Sequence, residues 1–212
     1  MKTSDISVEL IGYYGSDWDV CNAARVSFHK NADEYSRAEN EKLIKYLAKH
    51  GHYSPFNHCF LSFRVKAPIF VARQLVKHKF LPWNEVSRRY VDDDIEIYFR
   101  EFHRRAVNKK QGCDENVIAD LPYGNYLDDI QKQVGNYNEA IDLGAAPEDA
   151  RMLLPQCMLT EWVWSGTLGA WLDMLSLRLK PDSQFDSRIV AAKIFHHVDR
   201  LFPISTDARL AL

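Results

Sequence analysis

The chain has 212 residues, 46% of them apolar, with 27 Lys and Arg against 29 Asp and Glu for a formal net charge of −2. That composition suits one domain with a packed core, and it excludes a global electrostatic pull towards nucleic acid or membrane, so any cationic site is local. Cys21, Cys59, Cys113 and Cys157 form no CxxC pair, the opening MKTSDISVEL has no apolar leader core, and no run of about 18 apolar residues is present to span a bilayer, so the expectation is a cytoplasmic protein with neither nucleic-acid nor membrane partner.

Residues 8–14 are short, apolar and aromatic, a predicted strand followed by a Gly-Ser-Asp turn. Asp19 is placed to cap a short helix through CNAARVSF, residues 21–28. Over residues 36–50, Leu43, Ile44 and Leu47 take helical spacing, and Gly51 stops that helix. GHYSPFNH, residues 51–58, comes next. His52, His58 and Cys59 invite a zinc reading, but no second cluster stands at ligand spacing, so no metal is expected. Residues 59–65 alternate, with Leu61, Phe63 and Val65 on one face and Ser62 and Arg64 on the other, as in a half-buried strand.

Pro68 then opens a helix carrying Ile69, Phe70, Val71, Leu75 and Val76. It is predicted to end near Leu81, because Pro82 disfavours helical geometry in the residue before it. Lys77, His78 and Lys79 are adjacent, and neighbours on a helix point about 100° apart, so all three grip one ligand only where the helix unwinds. The loop beyond supplies Asn84, Glu85, Ser87, Arg88 and Arg89, a set suited to a phosphorylated, hydrogen-bonding ligand. On composition alone the other reading is a solvated run of charge at the negative end of a helix.

Residues 92–94 read as an acidic turn, residues 95–99 as a strand, and the basic stretch 100–110 as a solvated loop without a function. Tyr126, Leu127, Ile130, Val134, Tyr137 and Ile141 predict a long helix from about residue 123 to 143, closed by Gly144. PEDARMLLP is a short helix bounded by Pro147 and Pro155, in which Arg151 stands at ion-pair spacing from Glu148. A Trp-rich strand over 158–165, a helix over 167–179 and an amphipathic helix over 185–202 complete the pattern, with His196 and His197 as structural residues. The expected fold is α/β: a small antiparallel or mixed sheet flanked by several helices, residues 1–212 as one domain.

Five segments in order, AARVSF, GHYSPFNH, the run from Arg73 to Tyr90, DARMLLP and LSLR, resemble the flavin-dependent thymidylate synthases. The family's central signature is Arg-His-Arg, seven residues, then Ser; here it reads Lys77-His78-Lys79, seven residues, Ser87, with Asn84-Glu85 inside and Arg89-Tyr90 after. The resemblance implies reductive methylation of dUMP at C5, with methylenetetrahydrofolate as carbon donor and FAD reduced by NADPH, in a homotetramer with active sites at subunit interfaces. It assigns Arg178 to activation of the uracil ring. Gln74, Lys77, Glu85, Val86, Ser87, Arg88, Arg89 and Arg151 would surround dUMP. His52, Ser54, Lys77, His78, Lys79, Glu85, Thr167, Gly169 and Asp173 would surround FAD.

The chain departs from the family in four places. Lysines replace the two outer arginines, Thr167-Leu168-Gly169 stands for Asn-x-Arg, Asp173 for an asparagine and Pro82 for a serine. Lysine offers a point charge where arginine offers a planar fork, so weaker or altered flavin binding is the expectation. The alternatives are a relative making another C5-modified pyrimidine nucleotide, such as a hydroxymethylated one, and a non-catalytic nucleotide- or RNA-binding protein. A cysteine-dependent synthase using Cys157 is a fourth reading, although nothing near it in sequence lowers its pKa.

Overall fold

The computed structural model describes residues 2–91, 94–107 and 112–210. In chain order its elements are β1 (Lys2–Thr3), β2 (Ser7–Tyr14), α1 (Asp17–Arg25), α2 (Arg37–Lys49), β3 (Phe60–Pro68), α3 (Ile69–Leu75), β4 (Trp83–Glu85), β5 (Glu96–Ile97), β6 (His103–Arg105) and β7 (Cys113–Val117). Then come α4 (Tyr123–Asp142), α5 (Pro147–Ala150), β8 (Leu159–Thr167), α6 (Leu168–Arg178), α7 (Phe185–Leu201) and α8 (Pro203–Leu210). The fold is α/β. An antiparallel sheet runs β2-β3-β8-β4, with a parallel β1-β5 pair and an antiparallel β6-β7 pair beside it. None of the described helices is long and apolar enough to cross a membrane.

Alternation along β3 decides which face of the sheet is covered. Leu61, Phe63, Val65 and Ala67 are fully buried, while Ser62, Arg64 and Lys66 take the other face. Trp162 and Trp164 of β8 join the same inner face. Trp171 of α6 completes it, packing edge-on to Phe63 and Trp164 and donating its indole N–H to the Leu61 carbonyl at 3.2 Å. A smaller cluster of Ile95, Ile97, Val134, Tyr137, Ala150 and Met158 seats α4.

Most predicted elements form within a residue or two of their expected bounds. The helix before the basic cluster does not: α3 stops at Leu75, six residues early. Leu81 is buried against the sheet, and the Pro82 carbonyl accepts from the Ser165 N–H at 3.1 Å, which starts the β4–β8 pairing. To arrive there the chain turns back at Phe80, whose φ is 62°. The crossing is close. A Cβ on Gly166 would lie 2.4 Å from Leu81 Cδ2 and 3.0 Å from the Phe80 carbonyl oxygen, so a side chain there forces both neighbours to give way. Trp83–Glu85 is therefore an edge strand rather than loop, and Lys77–Lys79 occupy the turn, as the spacing argument requires.

Two further expectations are corrected, and one helix was not predicted. Asp19 sits inside the first turn of α1, whose N-cap is Ser16. Arg100, expected in a solvated loop, forms a largely buried ion pair with Asp186, and β6 begins three residues later. α8 carries too short an apolar pattern to stand out beyond the predicted end at residue 202. Lys109, Lys110, Asp92 and Asp93, parts of the predicted basic loop and acidic turn, lie outside the described residues.

α8 is held from the other end of the chain. Buried Asp17 accepts from the Ile204 and Ser205 N–H groups, both at 2.9 Å, and from the Ser205 hydroxyl at 2.5 Å. The carboxylate thus serves the orphan donors at that helix start. Asp17→Ala should lower stability by about 3 kcal/mol, since hydrogen bonds to a charged group contribute about 1.5–3 kcal/mol each and do not add fully. Denaturant unfolding of the two proteins measures it.

Candidate active site

α3 presents two faces to two cavities. Phe70 and Gln74, one turn apart, line a cavity of about 660 Å³ together with Arg178. Ala72, Arg73 and Val76 line another of about 710 Å³, with Glu85, Val86, Ser87, Arg88 and Arg151 on its walls. The wall continues in extended chain, where Cys157 faces the first cavity while Gln156 and Met158 face the second.

The first cavity is mostly apolar, with Phe70, Phe99, Phe102, Tyr126 and Phe185 among its lining. Its polar side is organised. Arg100 forks onto Asp186 at 2.7 and 2.9 Å, and the Tyr98 hydroxyl donates to the same carboxylate at 3.0 Å. The Gln74 amide oxygen lies 3.1 Å from the Ser187 hydroxyl. Arg178 ends α6 and donates its Nε–H to His78 Nε2 at 2.8 Å, joining residues 100 positions apart. Burial lowers the pKa of the Arg178 guanidinium, and among the described residues it has no carboxylate partner. Burial, then the neighbouring Arg178 charge, pushes His78 down to about 4.

In the second cavity the Glu85 carboxylate is oriented, accepting from the Thr160 hydroxyl at 2.8 Å and the Trp83 indole N–H at 3.0 Å. Trp83 and Glu85 share one face of β4 because strand side chains alternate. The Ser87 hydroxyl accepts from the Arg89 N–H at 3.3 Å, an ordinary turn contact that suits a binding rather than a nucleophilic serine. Arg151 donates to the Glu148 backbone carbonyl at 3.1 Å, so the i,i+3 carboxylate pair read from the sequence is replaced. The Glu148 carboxylate faces Arg89 instead, at 3.3 Å.

The remaining candidates follow α6. His52 lies just past the end of α2, where its N–H bonds the Leu47 carbonyl at 2.9 Å and Gly51 bonds Ala48 at 3.2 Å, a Schellman closure. Ser54 opens the 3-10 turn Ser54–His58. Asn57 of that turn accepts from the Thr167 hydroxyl at 2.8 Å, and Thr167 caps α6. A Cβ on Gly169 would lie 2.4 Å from Asn57 Oδ1, so a side chain there forces the Asn57 amide to swing away from Thr167. Asp173, one turn along, pairs with Arg209 of α8, whose guanidinium lies 4.6 Å from the Tyr53 ring centre. The acidic departure from the family's asparagine is thus matched by a cation on an element the sequence reading did not include.

Residues 9–204 match the family model described as Thymidylate synthase complementing protein. The chain belongs to that family. A flavin-dependent thymidylate synthase from Thermus thermophilus is 35% identical over 202 residues, covering 95% of this chain and 74% of that one. The Kosmotoga olearia enzyme of the same name is 34% identical over 195 residues, covering 89% and 84%. Among solved structures, the UMP/dUMP methylase PolB from Streptomyces cacaoi bound with 5-Br dUMP superposes with a TM-score of 0.88 at 28% identity, covering 100% of this chain and 98% of that one. The same methylase with 5-Br UMP gives a TM-score of 0.85.

Within this family fold Cys157 is a poor nucleophile. It lines the Arg178 cavity, but burial pushes its thiol above the ordinary value, away from the reactive thiolate. Cys157→Ala should keep the parental rate of nucleotide turnover within about threefold, the scale of a modest packing change; loss of all activity would restore the cysteine-dependent reading. The His78–Arg178 bond is what sequence reasoning missed, since nothing in the spacing of the two residues signals their contact.

Proposed function

We propose that this chain is a flavin-dependent thymidylate synthase that reductively methylates dUMP at C5. It draws the carbon from methylenetetrahydrofolate and uses FAD kept reduced by NADPH. The observation carrying the reading is Arg178, a partly buried guanidinium without a carboxylate partner among the described residues, on the wall of a cavity of about 660 Å³ beside Gln74. A permanent positive charge there stabilises the N3 anion of uracil and raises electron density at C5, charge stabilisation of the oxyanion-hole kind.

The residues present fit a phosphorylated aromatic cofactor. Lys77 and Lys79 are exposed and have no ion-pair partner among the described residues, and Phe80 beside them is 83% exposed. In this reading Lys77, Lys79, His52, Ser54 and the Thr167–Asp173 side of α6 hold FAD, with Glu85 oriented between cofactor and nucleotide. Bound flavin supplies the reducing equivalent that completes the methyl group. Ser87, Arg88, Arg89 and Arg151 take the nucleotide phosphate, where guanidinium forks suit an oxyanion. The reading takes residues 1–212 as one cytoplasmic domain acting in a homotetramer.

The likeness to a UMP/dUMP methylase supports a second reading, in which UMP is accepted as well. Purified protein given FAD, NADPH, methylenetetrahydrofolate and 5-tritiated dUMP or UMP should release tritium and yield a product in which a methyl group replaces the C5 hydrogen. Hydroxymethylated product would move the assignment to the alternative chemistry. No release from either nucleotide, with salt-sensitive RNA binding instead, would overturn it.

A further inference from the structure

We propose that His78 is the positioning residue that aims Arg178 at the nucleotide base. The inference rests on the functional reading above and deepens it. The Arg178 Nε–H donates to His78 Nε2 at 2.8 Å. A guanidinium tethered through Nε keeps both terminal Nη groups for a ligand, a planar pair of donors matching the adjacent O2 and N3 of an ionised uracil.

The identity of the acceptor matters as much as its place. A carboxylate in that position would neutralise the guanidinium and cancel the field it exerts on the base. Neutral imidazole accepts the same hydrogen bond and leaves the charge intact. Acceptance at Nε2 puts the imidazole proton on Nδ1. Burial and the adjacent arginine both disfavour a second proton, so the ring stays an acceptor at neutral pH. His78 is itself fixed: it lies in the turn after α3, its N–H bonds the Leu75 carbonyl at 3.1 Å, and its ring centre is 6.4 Å from that of Trp164. The early end of α3 therefore has a functional consequence, since a helix continuing to Leu81 would carry His78 elsewhere.

The test compares His78→Phe, which removes the acceptor but keeps a ring, with His78→Gln, whose amide oxygen reaches the place of Nε2. Tritium release from dUMP gives kcat and KM, and flavin fluorescence titration gives FAD affinity. His78→Phe should lower kcat tenfold to a hundredfold with FAD affinity within threefold, and His78→Gln should recover most of that loss. In an Arg178→Lys background, which has no Nε–H, adding His78→Phe should change little, because the histidine acts through the arginine. If His78→Phe does not fold, His78→Asn, whose amide stops short of Nε2, replaces it. Lost FAD affinity with kcat intact at saturating FAD would make His78 a flavin ligand and overturn the proposal, as would equal losses in the Phe and Gln variants or full additivity with Arg178→Lys. A parent protein that methylates neither dUMP nor UMP would instead bring down the functional reading, and this inference with it.

Discussion

Arg178→Ala should lower kcat for methyl transfer by about 10²–10³-fold, the effect of removing one donor aimed at developing negative charge. FAD binding should survive, because the side-chain hydrogen bond of Arg178 runs to His78 and to none of the residues that hold FAD in the proposed reading. The physical basis is differential: the proton-bearing uracil of the ground state gains little from the guanidinium, while the N3 anion gains much, so the loss falls on kcat rather than KM. Arg178→Lys keeps a charge but loses the planar fork and the Nε–H, so its activity should lie between the two. Tritium release under saturating dUMP and FAD measures all three proteins. An alanine variant with the parental rate would remove the arginine from the chemistry.

Two inactive variants, Arg178→Ala and Arg151→Glu, should regain about a quarter of parental activity when mixed and reassembled. The expectation follows from where the dUMP candidates lie. Gln74 and Arg178 line one cavity, while Glu85, Val86, Ser87, Arg88 and Arg151 line another, on a different face of α3. A helix with its side chains is about 10 Å across, so within a single chain α3 stands between the two groups. If two chains of the proposed tetramer each supply one half of a site, random one-to-one mixing makes about one site in four with both halves intact. Arg151→Glu sets a carboxylate where phosphate should sit, which makes its own background low. Mixtures that stay as inactive as their components would mean each site is built from one chain. Val76 and Met152, exposed on the wall of the second cavity, and Phe80, exposed in the turn after α3, supply apolar surface for such an association.

The family was legible in the sequence because its markers are local in order: five short segments spaced along the chain, with an unusual mixture of residue types in the central one. β3 was legible from its alternation, and α2, α4 and α7 from helical spacing, since each buries one face against a core. The end of α3 was not. Pro82 marks where a helix must have stopped, but the actual stop at Leu75 is set by the need to pair Trp83–Glu85 with β8, a strand far along the chain. The role of Arg100 was hidden in the same way, because its partner Asp186 stands 86 positions further on.

From its residues alone this chain already carried an α/β core, a local cationic site and membership of a flavin-dependent family, because burial periodicity and ordered motifs are written along one dimension. Only the folded chain decided that His78 holds Arg178, that Arg209 balances Asp173, and that α3 divides the nucleotide candidates between two cavities. Each of those is a distance between side chains far apart in sequence. Such distances are set by how the sheet and helices pack, and no local pattern encodes them.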